Sequence, residues 1–338
     1  MRCERRQTVE REKHLRKQLS HAFQLWQPAM PPLRDPYIIC DDFMPADFAA
    51  AMRQDIDSHF DKPGAHRPER HQIWNYWHIP ELYTYLRTNC DKVIEIARVQ
   101  QFMVALTYWS IRTLGMGHVT WPYLSLYVSG CKQGIHNDSN NGRFAFVYSL
   151  TKNDRKTSGG ETIVLKQGDL FRSRLTKPGA GTSFYDQIAP RFNRLAVFDD
   201  RMPHAVERVD GSMDPVEGRF VLHGHISESG PIIQGALAPD AINDVVGTLS
   251  DLAAEIAAWP ERYHGPVVLR CTVQPSGKVA DAVILVDRVA RGDEIALDAG
   301  AIAENLRATV MKLNFPQASA SSEVTLPIII GGKLPWMQ

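Results

Sequence analysis

The chain has 338 residues, 44% of them hydrophobic and 22% charged, with 38 Lys plus Arg balancing 38 Asp plus Glu. That make-up suits about two domains with real cores and excludes a disordered or fibrous chain, while a formal charge of zero gives no global pull toward nucleic acid or an anionic membrane. The cysteines (Cys3, Cys40, Cys90, Cys131, Cys271) are scattered without a C-x-x-C, so neither a disulfide framework nor a zinc knuckle is predicted, and a reducing, cytoplasmic setting is expected.

Residues 1–34 read as a charged arm with no apolar stretch for a signal peptide or membrane span. From Tyr37, YIICDDF predicts a short strand. Pro45 then opens a helix whose Phe48, Met52, Ile56 and Phe60 share one face. A second helix is predicted over about Leu82 to Val99. Between them lies an aromatic patch, Trp74, Tyr76 and Trp77, read as core packing or as a wall facing substrate, with Trp74 the candidate contact.

From Tyr123 to Ile226 the pattern changes to short strands separated by Gly, Asn, Asp and Pro, which predicts a β-sandwich or jelly roll over residues 35–229. Residues 230–261 read as a linker and a helix bearing Leu249, Leu252, Ile256 and Trp259, stopped by Pro260. Residues 262–338 read strand, turn, strand, helix, strand: PVVLRCTV, Q-P-S-G, KVADAVILV, a helix with Ile302, Leu306 and Val310, then EVTLPIII. The expected fold class is mainly β with flanking helices, plus a small α+β C-terminal domain.

His136-Asn137-Asp138 lies inside the strand series. Alternate residues of an extended strand share a face, so this imidazole and carboxylate can converge on one metal ion. About one H-x-D is expected by chance, and His59-Phe60-Asp61 is a second copy, but it closes a helix and reads as a solvated helix end. His204, at the edge of a later strand, supplies a second imidazole. Two histidines and one carboxylate are the ligand set of non-haem Fe(II) oxygenases, which leaves coordination positions open.

In that order these features resemble the Fe(II)/2-oxoglutarate-dependent dioxygenases, in particular the prolyl-4-hydroxylase-like branch. YIICDDFMPADFAAAM resembles the branch's opening strand and helix. LYVSGCKQGIHND resembles its tyrosine-bearing strand and H-x-D, RFAFVYSL with SGGET its arginine-led strand and Gly-Gly turn, and RLAVFDDRMPHAV and GRFVLHGHIS its closing strands. The resemblance implies a double-stranded β-helix (jelly roll) and the use of Fe(II), 2-oxoglutarate and O2. It further implies that His136, Asp138 and His204 are the catalytic iron ligands, that Arg219 pairs with the distal carboxylate of 2-oxoglutarate, and that Tyr127 hydrogen-bonds the same carboxylate. An arginine suits that task because its planar fork makes two charge-assisted hydrogen bonds to one carboxylate; Arg208 and Arg194 are the alternatives. Since related halogenases lack the carboxylate, Asp138 implies hydroxylation, desaturation or cyclisation.

Along GRFVLHGHIS, Arg219, Val221, His223 and His225 alternate onto one face, so His223 and His225 are candidates for substrate contact or for supporting the metal ligands, with ordinary rim histidines as the plainer reading. Lys166 to Arg194 holds six basic and two acidic residues. That stretch reads as a lid favouring an anionic substrate through Arg172 and Arg174, or as a solvated loop. Residues from about 262 to 332 resemble the TonB C-terminal domain through V-x-P-S-G-K-V, N-F-P and a final strand. The resemblance implies a domain that docks a peptide or a second copy at its sheet edge, or one that only braces the oxygenase.

The expected function is hydroxylation of an unactivated C–H bond in an amino-acid-derived or peptide substrate, with release of succinate and CO2 and no nucleic-acid or membrane partner. The alternatives are oxidative tailoring or demethylation of a small metabolite or nucleobase, and a non-catalytic jelly-roll binding or scaffold protein.

Overall fold

The computed structural model describes residues 32–61, 73–138, 141–165, 185–291 and 301–331. Strand β1 (Tyr37–Cys40) leads to helix α1 (Ala46–Phe60), which has Pro45 as its N-cap and buries Ala49, Met52, Arg53 and Ile56. Arg53 is tolerated inside because Asp57, the Leu150 carbonyl and the Val216 carbonyl accept its donors.

The next stretch departs from the helix expected over Leu82 to Val99. Strands β2 (Asn75–Ile79) and β3 (Tyr83–Asn89) form an antiparallel hairpin, and helix α2 begins only afterwards (Ile96–Thr113). YTYLRTN is rich in aromatic and β-branched residues with a period of two, and pairing on both sides of β3 settles it as a strand.

Eight further strands follow: β4 (Tyr123–Tyr127), β5 (Lys132–His136), β6 (Phe144–Ser149), β7 (Thr162–Leu165), β8 (Tyr185–Ile188), β9 (Arg194–Asp199), β10 (His204–Val206) and β11 (Arg219–Ser227). They run β1-β9-β6-β11-β4-β3-β5-β10-β7-β8 in one antiparallel sheet, twelve-stranded among the described residues once β2 and the short His118–Val119 strand are included. The sheet turns at β3, whose Leu86–Asn89 half pairs with β4 while Tyr83 and Thr84 pair with β5. This curled, half-barrel arrangement is consistent with a jelly-roll oxygenase domain. Helices α1 and α2 cover its outer face, where Phe43 packs edge-on against Phe102, Trp109 and Tyr148.

A second sheet closes the molecule. Strands β12 (Ile232–Gly235), β13 (Tyr263–Val273), β14 (Val279–Asp287) and β15 (Ser322–Ile330) run β12-β15-β13-β14, with helices α3 (Asn243–Ala257) and α4 (Ala301–Val310) packed on them. The segment read as a linker therefore contributes a strand of this sheet. Trp259, expected on the helix, lies past its end and is exposed. Gly277 (φ +85°) is required in the β13–β14 turn, since a Cβ there would stand 1.9 Å from the Phe315 carbonyl oxygen.

The two sheets share buried surface. Val268 and Val286 join the same core as Phe102 and Leu114, and Arg270 donates to the Ile111 and Arg112 carbonyls that end α2. Leu33 exchanges backbone hydrogen bonds with Leu285 and Asp287, so the chain itself pairs with part of the β14 edge. No described helix is long and apolar enough to cross a membrane.

Candidate functional site

Strand pairing assembles the site. His204, at the start of β10, is the direct antiparallel partner of His136, at the end of β5, and their ring centroids lie 4.2 Å apart. Asp138 follows β5, where its backbone N–H donates to the Asp200 carbonyl. One ligand atom from each of His136, Asp138 and His204 lies within 4.8 Å of the others.

Backbone carbonyls orient both rings: His136 Nδ1 pairs with the Gly134 carbonyl (2.8 Å) and His204 Nδ1 with the Met202 carbonyl (3.0 Å), which turns both Nε2 atoms inward, that of His136 to 3.2 Å from Gln133 Nε2 and that of His204 to 3.4 Å from Asp138 Oδ2. Burial, helped by neighbouring His204, lowers the His136 pKa and keeps the ring neutral. Burial alone would raise Asp138, but the His204 hydrogen bond and the nearby imidazoles outweigh it and hold the carboxyl at about 2. Two imidazoles and one carboxylate form a donor set of the kind that holds a divalent transition metal.

These groups line a cavity of about 220 Å³ together with Arg219, Tyr127, Gln133, Thr162, His223 and His225. That volume is below the roughly 300 Å³ at which drug-sized pockets begin, so it suits a small molecule. Arg219 is buried, donates from Nη2 to Thr162 Oγ1 (3.0 Å), and leaves Nε and Nη1 buried without a hydrogen-bond partner among the described residues. A buried guanidinium with two open donors fits a carboxylate. Tyr127 lies under that guanidinium, 4.8 Å from ring centroid to Cζ, and its hydroxyl donates to Gln133 Oε1.

The other sequence candidates divide. His223 lines the cavity and bonds Ser125 Oγ through Nε2 (2.8 Å); burial and then the charge of Arg87 push its pKa down to about 3. His225 also lines it, with Nδ1 3.1 Å from Asp200 Oδ2; burial pushes the Asp200 carboxyl up to about 6 although His225 pulls it down. Trp74 does not line the cavity. Its Nε1 donates to His59 and its ring packs on Phe60, while the neighbouring Trp77 takes the place at the wall. Arg172 and Arg174 lie outside the described residues. Arg208 pairs with Asp210 and Arg194 with Asp41, so neither alternative arginine reaches the cavity.

Residues 123–227 match the 2OG-Fe(II) oxygenase superfamily. Members of that superfamily use Fe(II), 2-oxoglutarate and O2, and in the matched region His136, Asp138 and His204 could bind the metal. No curated protein matches the chain significantly. Among solved structures the chain is similar to a prolyl hydroxylase from Trichoplax adhaerens in complex with a hypoxia inducible factor oxygen degradation domain peptide fragment (13% identity, TM-score 0.40, 64% of this chain and 90% of that one). It is also similar to a Pseudomonas putida prolyl-4-hydroxylase (16%, 0.39, 58% and 94%) and to the non-heme alpha ketoglutarate dependent epimerase SnoN from nogalamycin biosynthesis (11%, 0.41, 65% and 84%).

Arg87, Tyr83, Tyr85 and Gln133 also line the cavity, and the sequence reading did not single them out. The signal was present in YTYLRTN: with a period of two, Tyr83, Tyr85 and Arg87 share one face, but a helix reading of the segment scatters them.

Proposed function

We propose that the oxygenase region is a 2-oxoglutarate-dependent Fe(II) dioxygenase that hydroxylates an unactivated C–H bond of an amino-acid-derived or peptide substrate, with release of succinate and CO2. The observation that carries this reading is one cavity holding both the His136, Asp138 and His204 donor set and the open donors of Arg219.

In this reading His136, Asp138 and His204 would hold Fe(II), which would let O2 act as the oxidant, one oxygen atom going to succinate as 2-oxoglutarate loses CO2 and the other to the substrate C–H bond. Arg219 takes the distal carboxylate of 2-oxoglutarate, with Thr162 fixing the guanidinium plane. Tyr127, turned toward Gln133, closes that end against water. His225, oriented by Asp200, and neutral His223 present ring edges to the substrate side. For the second sheet we attach a bracing role, because Leu33 already occupies part of the β14 edge where a peptide or second copy would add a strand.

Anaerobic addition of Fe(II) and 2-oxoglutarate to the metal-free protein tests the reading. A weak visible charge-transfer band is expected in wild type, absent in His136→Ala and requiring far more 2-oxoglutarate in Arg219→Ala. A well-folded wild type that gives no band would sink it.

A further inference from the structure

The cavity contains a second guanidinium. Arg87 on β3 is the strand partner of Ser125 on β4, and its Cζ stands 4.0 Å from the Trp77 ring centroid and 4.3 Å from that of Tyr123. Two aromatic rings fix the plane of this cation and leave its N–H edge available, and the contact is favourable in itself. Among the described residues no carboxylate pairs with it. Asp138, the carboxylate lining the same cavity, faces the two imidazoles. His223, the titratable neighbour, is held neutral and brings no counter-charge.

Arg87 pairs in register with Ser125 and Arg219 with Tyr127, so the two guanidinium groups enter the cavity from the strands on opposite sides of β4 and lie over different rings, Tyr123 and Tyr127. With Arg219 assigned to 2-oxoglutarate, Arg87 is a second cation lining the cavity with no paired carboxylate among the described residues.

We propose that Arg87 is a specificity-determining residue that anchors a carboxylate of the organic substrate, so that the substrate class is a carboxylate-bearing amino acid or peptide. This rests on the oxygenase reading above. The carboxylate can come from a chain terminus or from an acidic side chain; both offer the same planar anion to the guanidinium.

The test uses full-length protein loaded anaerobically with Fe(II) and 2-oxoglutarate, as wild type, Arg87→Gln, Arg87→Lys and Arg219→Gln. The probes are N-acetyl amino acids and capped tripeptides in two forms, free acid and C-terminal amide, each set with and without Asp or Glu. Binding is read by calorimetry, and succinate release is read after oxygen is admitted. Expected is binding confined to probes with a carboxylate, the arms showing whether the terminus or the side chain supplies it. Arg87→Gln should lose tenfold or more in probe affinity, Arg87→Lys should regain part of it, and 2-oxoglutarate affinity should fall in Arg219→Gln but not in Arg87→Gln. Equal binding of amides that lack any acid, no binding by any probe, or weakened 2-oxoglutarate binding in Arg87→Gln overturns the inference while the visible band still supports the oxygenase reading. Absence of the band in wild type overturns both.

Discussion

Each candidate histidine ligand takes its direction from a backbone carbonyl that is not itself a ligand. The backbone carbonyls of Gly134 and Met202 pair with Nδ1 of His136 and His204, and burial lowers the His136 pKa below that of a free imidazole. A lowered histidine pKa means the neutral, metal-binding form persists as pH falls past about 6.5, where an exposed histidine is half protonated. The His136 ring of the metal-free protein, followed by NMR titration, should therefore still be mostly neutral at about pH 6.5; half-protonation or more at that pH would contradict the assignment. Arg219→Gln removes hydrogen bonds to a charged group, worth about 1.5–3 kcal/mol each, so the 2-oxoglutarate dissociation constant should rise roughly 10- to 100-fold with the fold intact. Titration of the anaerobic visible band measures that shift.

At the scale of elements, the Gly159–Gly160 turn before β7 is what lets Arg219 lie flat in the cavity. Gly159 (φ +75°) would place a Cβ 2.0 Å from the Arg208 carbonyl oxygen, and Gly160 (φ +78°) would place one 2.9 Å from Arg219 Cδ. The first clash is with backbone and the second with a side chain that can move. Gly159→Ala should therefore cost stability, at least the ~1–3 kcal/mol of a strained left-handed residue, seen as a lower urea midpoint. Gly160→Ala should cost less stability and weaken 2-oxoglutarate binding instead, because the displaced group is the guanidinium stem. The same scale explains the misread segment. YTYLRTN was legible as a period-two run, yet its neighbours in sequence favour helix, and only pairing with β2 and β4 makes it a strand. Trp74 and Trp77 exchange expected roles for the same reason: the hairpin turns Trp77 to the wall and leaves Trp74 packed on Phe60.

Across the whole molecule, the second sheet is tied to the turn that carries the site. Asp199, at the end of β9, accepts from Arg201 and from buried Arg288 of the second sheet, and the next residue, Asp200, holds His225. Burial would raise the Asp199 pKa, but Arg201 and Arg288 outweigh it and hold the carboxyl well below the usual carboxylate range. A depressed carboxylate pKa contributes stability that is present above the unfolded value near 3.9 and is lost as pH falls below it. The urea midpoint should hold from pH 7 to about 4.5 and drop on further acidification, and Asp199→Asn should flatten that acid limb. Asp199→Ala, which leaves two buried guanidinium groups without their carboxylate, should cost about 3–5 kcal/mol. Because Val268 and Val286 also complete the core under α2, deleting residues 230–338 should leave residues 1–229 without a cooperative urea transition.

The sequence by itself determined the strand series from Tyr123 and the helix faces of α1, α3 and α4, Trp259 excepted, because each rests on local periodicity, while His136, Asp138, His204 and Arg219 were candidates through motifs that resemble a known family. Tertiary structure alone decided that His136 and His204 are strand partners, that Asp200 supports His225, that residues 230–261 supply a strand of the second sheet, and that Arg87 faces the cavity between Trp77 and Tyr123. The reason is physical. Alternation fixes which face of a strand a residue occupies, whereas the choice of neighbouring strand depends on contacts between distant segments that no local pattern encodes.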